Sequence, residues 1–228
     1  MQKLLTLLQI NDSMFPIGGF THSYGLETYI NKNLVRDTET SKKYAENMLK
    51  YSVFYNDAAF LNQVYKDFSK RKVWKKLEEL DQLVTALKAP YEIRDASRKL
   101  SIRFLKTAQE LKPHDFCAKY LDAIQKGTLT GHYPLAFGLY ALLSGISRED
   151  ALTAFYYNTL NGIVTNCAKA VPISQIHGQK ILFELQPLIE ELVAKQDTIT
   201  EDELGMCCIG QEIRCMQHEK LYTRIYIS

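Results

Sequence analysis

A chain of 228 residues can bury a sizeable core without disulfide or metal staples. Hydrophobic residues at 46% and charged residues at 24% exclude a disordered or fibrous chain, and a net charge of +2 excludes the basic excess of a broad nucleic-acid surface. The five irregularly spaced cysteines build no secreted disulfide framework, and neither a leader nor a long apolar run is present, so a reduced, cytoplasmic protein with no membrane span is expected.

The pattern is helical almost throughout. A short helix is predicted over Gln2 to Gln9 and a second over Gly18 to Ile30, with one long or two consecutive helices over residues 38 to 70. Trp74, Leu77, Leu80, Val84 and Leu87 recur at three and four residues, the spacing of one helical face. Lys70 to Lys72, Lys75 and Lys76 are answered by Glu78, Glu79 and Asp81, as on a solvated helix face. Pro90 suits an early position of a helix carrying Ile93, Leu100, Phe104, Ala108 and Leu111, which Pro113 closes. Further helices run from about His114 to Lys126, from His132 to Gly145, and from Ser147 to about Ala170. Ser174 to Lys195 forms another, kinked or divided by Pro187. Thr200-Glu-Asp-Glu203 has the residues of a capping box and is expected to open the last helix. No strand alternation occurs before the last seven residues. The expectation is an all-α, single compact bundle of about ten helices over residues 1–228, with 217–228 as a C-terminal docking tail.

Chemistry concentrates in Phe15-Pro-Ile-Gly18-Gly19-Phe20-Thr-His22-Ser23-Tyr24-Gly25-Leu-Glu27. A nucleotide loop requires GxxxxGK[ST], or GxGxxG after a strand, and neither is present. Pro16 and the glycines instead suit a tight turn between helices, with Gly25 allowing a close helix crossing. The polar and aromatic residues Phe20, His22, Ser23, Tyr24 and Glu27 cannot all be core, since glutamate is almost never buried unpaired. Such a surface beside a rigid turn has the composition of a protein-binding patch.

Elsewhere no HExxH, CxxC or GxSxG occurs. Cys208, Cys215 and His218 could share a helical face, so a helical metalloprotein holding nickel or zinc is the alternative reading, against buried cysteines acting as small hydrophobes. His22 and Ser23 are adjacent without a residue to orient the base, which disfavours a hydrolase. Lys169 ends one helix while Gln175 and Gln179 begin the next, a hydrogen-bonding surface or a plain polar turn. The tail from Gln217 to Ser228 holds Tyr222, Arg224 and Tyr226 among aliphatics, residues typical of binding hot spots.

Four blocks of the chain together resemble the urease accessory protein UreF family. Leu7 to Glu27 is similar to its Leu-rich helix, Asp-Ser and Pro-x-Gly-Gly-Phe-x-His-Ser-x-Gly-Leu-Glu pattern, and His132-Tyr-Pro-Leu-Ala-Phe-Gly138 to its His-x-Pro-x-Ala-Phe-Gly helix start. Lys169 to Gln179 resembles its Pro-Leu-Gly-Gln-x-x-Gly-Gln turn, and the ending Arg224-Ile-Tyr-Ile-Ser228 the tail of several members. Ser101 and Ser174 stand where glycine is usual.

The resemblance implies an all-helical, non-catalytic scaffold with no cofactor of its own. It would bind UreD (UreH in some bacteria), recruit the GTPase UreG, shape its nucleotide cycle and help form a passage for the metal towards UreD, the assembly delivering nickel to apo-urease. On this chain it assigns Phe20, His22, Ser23, Tyr24, Glu27, Lys169, Gln175 and Gln179 to a GTPase-facing surface or the passage. It assigns Tyr222 and Arg224 to a tail ordered by partners, and Tyr157, read as lying on the apolar face of the long helix, to a homodimer contact.

Overall fold

The computed structural model describes residues 1–19, 22–68, 73–222 and 224–226. Among these, twelve α-helices form and no strand does: α1 (Gln2–Ile10), α2 (Leu26–Asn31), α3 (Thr38–Asn47), α4 (Asp57–Phe68), α5 (Val73–Leu87), α6 (Tyr91–Leu111), α7 (Asp115–Gln125), α8 (Tyr133–Leu143), α9 (Arg148–Ala170), α10 (Gln175–Glu184), α11 (Gln186–Lys195) and α12 (Ile209–His218). No helix among the described residues is long and apolar enough to cross a membrane.

The centre of the bundle is α8, whose residues from Pro134 to Ala141 are all buried, so it has no polar face to offer solvent. It packs between α4 and α6, with α9 alongside. Gly138 makes the α4 contact possible, because a Cβ there would sit 3.2 Å from Leu61 Cγ and 3.4 Å from its carbonyl oxygen. Phe104 of α6 is fully buried and meets Phe15, Tyr133, Phe137 and Tyr140 with ring centroids 5.6–5.8 Å apart. Aromatic packing of this kind adds about 0.5–1.5 kcal/mol per pair beyond area burial.

The entry into α8 is held by buried polar groups. Asp81 of α5 accepts from Tyr120 Oη at 2.6 Å, Thr130 N at 2.8 Å and Gly131 N at 2.9 Å. His132 caps α8 with its ring between Thr85 Oγ1 and Ser97 Oγ. Burial pushes the His132 imidazole down to about 3, with Lys88 and Arg94 contributing, so the ring is neutral.

Several expected boundaries change for physical reasons. Residues 38–68 form α3 and α4 joined by a π-helical turn, Met48–Val53. Asp37 opens α3 by accepting from Thr40 N at 2.9 Å. Ser147 caps α9 as its sequence position suggests, accepting from Asp150 N at 3.1 Å. Pro187 lies in the first turn of α11 and divides the predicted helix into α10 and α11. The helix predicted from Gly18 begins only at Leu26, because Tyr24 (φ 52°) and Gly25 (φ 81°) are left-handed. Glu203 does reach back to Thr200 N at 3.0 Å. Yet the chain turns away at left-handed Gly205, whose N–H bonds Tyr55 O at 2.7 Å, and the last helix starts at Ile209. Lys76 pairs with Glu79 at 2.7 Å on an exposed face, while Lys70 to Lys72 lie outside the described residues.

Candidate functional site

The glycine-rich block, the start of α6, the C-terminal half of α9, and α12 with its tail converge on one polar junction. Its geometry begins with two glycines. Gly18 (φ 76°) brings the chain against Arg103, whose Nη1 lies 3.3 Å from Ile17 O. Gly25 caps α2 and lets it lie against α12. A Cβ there would stand 2.9 Å from Cys215 Sγ and 3.1 Å from its backbone nitrogen. Thr28 Oγ1 then donates to Arg214 O at 2.9 Å, and Gln211 Nε2 donates to Tyr24 O.

Glu27 is 8% exposed and is saturated by groups from the far end of this chain. Its Oε1 accepts from Ile225 N at 2.7 Å, and its Oε2 accepts from Tyr226 N at 3.1 Å. His218 is fully buried, with Nε2 lying 2.9 Å from Glu27 Oε2 and Nδ1 2.6 Å from Glu92 Oε2. Arg224 Nη1 reaches the other Glu92 oxygen at 2.8 Å. Two carboxylates thus face an imidazole and a guanidinium, with Glu27, Glu92 and His218 largely buried and Arg224 reaching in from the surface, 40% exposed. Tyr226 completes the junction by donating from its hydroxyl to Asn166 O at 3.2 Å, and Asn166 Nδ2 donates to His22 O at 2.8 Å.

The residues expected to form one outward array therefore separate. His22 (3% exposed), Ser23 and Glu27 are buried within the chain, and Tyr24 is half-buried. Burial, followed by the charges of Lys99 and Arg103, lowers the His22 imidazole to about 4. Ser23 Oγ has no hydrogen-bond partner, so His22 does not serve it as a base. Phe20 lies outside the described residues. Tyr222 is fully exposed at the start of the tail and Ile225 is 75% exposed, while Arg224 is held by Glu92.

Lys169, Gln175 and Gln179 are exposed around the turn from α9 to α10, beginning one turn beyond Asn166. Ser174 caps α10 with an ordinary backbone and accepts from His177 N at 3.2 Å. Tyr157 does not lie on the apolar face of α9. It is 42% exposed, beside the buried Phe155 and Tyr156. The trio Cys208, Cys215 and His218 is not brought into coordination: His218 spends both nitrogens on carboxylates, and burial pushes the Cys215 thiol up to about 12. Among the described residues no three His, Cys, Asp or Glu side chains are placed to hold a metal.

Sequence reasoning missed Glu92, Asn166 and Gln211. Their only local signals are a carboxylate in the first turn of α6 and uncharged amides at otherwise core-facing positions of α9 and α12.

Comparison with known proteins adds an independent line. The family model for UreF matches residues 35–186. A urease accessory protein UreF of Haemophilus influenzae (strain ATCC 51907 / DSM 11121 / KW20 / Rd) is 38% identical over 222 residues, covering 97% of this chain and 94% of the relative. Proteins of the same name from Actinobacillus pleuropneumoniae serotype 5b (strain L20) and Bacillus sp. (strain TB-90) are 36% and 32% identical, each covering both chains completely.

Proposed function

This chain belongs to the UreF family of urease accessory proteins, and from that membership we propose that it is the scaffold on which the nickel-delivering machinery of urease assembles. In this reading it binds UreD (UreH) and recruits the GTPase UreG. It modulates the GTP cycle so that nickel passes to apo-urease, and it works as a homodimer.

The observation that carries the reading is the surface of α12 and its tail. Ile209, Ile213 and Met216 recur at four and three residues and are 67%, 46% and 42% exposed. They form an apolar stripe on α12, and Tyr222 and Ile225 beyond the helix are exposed as well. Glu27 behind it fixes the tail's backbone by accepting from Ile225 N and Tyr226 N, so a partner meets a preformed surface and loses little ordering entropy on binding. Lys169, Gln175 and Gln179 offer a polar, hydrogen-bonding surface suited to the second partner, and Tyr157 is an aromatic available to a second copy.

Co-expression with UreD and UreG, followed by affinity capture and a urease activity assay in nickel-supplemented cells, tests this. Deleting residues 222–228, or Arg224→Ala with Ile213→Asp, is expected to cut captured UreD at least tenfold and to abolish activation. Tyr157→Glu is expected to shift the purified chain to monomer in light scattering while leaving its helical circular dichroism intact. Full assembly and activation by the truncated chain would refute the tail assignment.

A further inference from the structure

Between the glycine-rich block, α9 and α12 lies a cavity of about 320 Å³, within the range of small-molecule sites and roughly twice a cavity of about 150 Å³ that takes benzene. Most of its lining is apolar, and five aromatic side chains, Phe15, Tyr24, Tyr44, Tyr133 and Phe155, contribute to it. Two departures from regular backbone meet on this wall. Left-handed Tyr24 is one, and the π-helical turn Met48–Val53, whose Met48, Ser52 and Val53 line the space, is the other. Irregular backbone of both kinds recurs at binding sites.

The wall is electrically one-sided. Among the described lining residues the carboxylates are Asp12, Asp57 and Glu212, and Lys88 is the one ammonium. Lys88 pairs with Asp57 at 2.8 Å, so those two cancel. His22 also lines the space, and burial, followed by the charges of Lys99 and Arg103, lowers its imidazole to about 4, so it is neutral at physiological pH. Asp12 and Glu212 are left without a counter-charge, since neither forms an ion pair with a described residue. Asp12 Oδ1 accepts from Met14 N at 2.7 Å. The Glu212 carboxylate lies beside the Cys207 thiol, which burial and then this contact push up to about 11. Lys99 and Arg103 act on His22 from outside the lining and are engaged there: Lys99 by Asp95 at 2.6 Å and Arg103 by Ile17 O at 3.3 Å.

A cleft with walls of low dielectric and charge of one sign concentrates ions of the other sign. Aromatic faces add attraction for a cation and accept an apolar body beside it. A metal ion is the poorer match, because no three His, Cys, Asp or Glu side chains among the described residues are placed to hold one.

We propose that this cavity is a binding site for a small organic cation, an ammonium group on an apolar body about the size of a benzyl group. Its charge answers Asp12 and Glu212, and its body packs among Leu26, Leu100 and the aromatic rings. This site is independent of the scaffold reading.

The test titrates the full-length, nitrogen-15-labelled chain with benzylammonium, benzyl alcohol and benzoate, which share one skeleton and differ in charge. Nickel chloride is the metal probe. Benzylammonium is expected to give saturable shifts at the backbone amides of Leu26, Cys208 and Glu212, with an affinity roughly tenfold or more above benzyl alcohol and with benzoate weaker still. Asp12→Asn and Glu212→Gln each keep an acceptor oxygen in place. Each should weaken benzylammonium roughly three- to tenfold and leave benzyl alcohol within about twofold. No saturable shift with benzylammonium up to its solubility, or shifts confined to residues away from the cavity, would overturn the proposal. So would benzyl alcohol or benzoate binding as tightly as benzylammonium, nickel saturating the same amides at lower concentration, or a benzylammonium affinity unchanged in both variants.

Discussion

Replacing Glu27 by glutamine tests whether a buried carboxylate anchors the C-terminus. The wild-type side chain accepts from Ile225 N, Tyr226 N and His218. Glutamine keeps the shape but has one acceptor oxygen and a donor group in place of the other. Its best arrangement sets the amide oxygen towards Ile225 N and the NH₂ towards the His218 ring, leaving Tyr226 N opposite a donor. One charge-assisted bond is then lost and two are weakened, for about 3 kcal/mol in total. Arg224→Ala removes only the partner of one Glu92 oxygen from a side chain that is 40% exposed, for about 0.2–1 kcal/mol. Native-state hydrogen exchange at the Ile225 and Tyr226 amides reads the difference. Exchange should rise roughly a hundredfold in Glu27→Gln and by less than tenfold in Arg224→Ala. Equal or larger acceleration in Arg224→Ala would refute the reasoning, because the anchor would then be the exposed pair.

Two further outcomes follow from the same geometry. Gly25→Ala, which places a methyl 2.9 Å from Cys215 Sγ at a φ of +81°, should lower stability by about 2–4 kcal/mol in urea unfolding. Gly162→Ala, inside α9 with nothing within 4 Å, should raise stability by up to about 1 kcal/mol, and equal effects at the two positions would contradict the packing described. His22 and His132 have folded pKa values of about 4 and about 3, below the ordinary 6.5. The unfolded chain therefore takes up protons first, and stability falls as pH drops below about 6.5 towards the folded values. Between pH 7 and 5 each histidine should cost about 2 kcal/mol, and His132→Asn should remove about half of that pH dependence. An unchanged dependence would show that His132 is not buried neutral.

Much of the fold was legible because helix signals are local. The stripe from Trp74 to Leu87, the cap at Ser147 and the breaks at Pro113 and Pro187 each depend on neighbours within a turn or two. Errors arose where local geometry was necessary but not sufficient. Thr200 and Glu203 do pair, yet left-handed Gly205 sends the chain elsewhere, and the Tyr24-Gly25 pair interrupts a spacing that otherwise suits a helix. The junction was half legible. That Glu27 must have a partner follows from the cost of burying a carboxylate, but nothing near it names His218 or Tyr226. Glu92, Asn166 and Gln211 carry ordinary side chains whose importance comes only from what the tertiary fold sets beside them.

The bond from Tyr226 to Glu27 spans 199 positions in the sequence, which gives the molecule a clock. At translation speeds of about 5–20 residues per second, Glu27 emerges roughly 10–40 s before the groups that saturate it exist. Through that interval the nascent chain carries an unsatisfied carboxylate beside the apolar groove that α12 will fill. The N-terminal block reaches its final state only once residues 225 and 226 have been made, and the surface they help form is absent from every shorter nascent chain. A partner that recognises that surface would recognise, in the same act, that segments 199 positions apart have met.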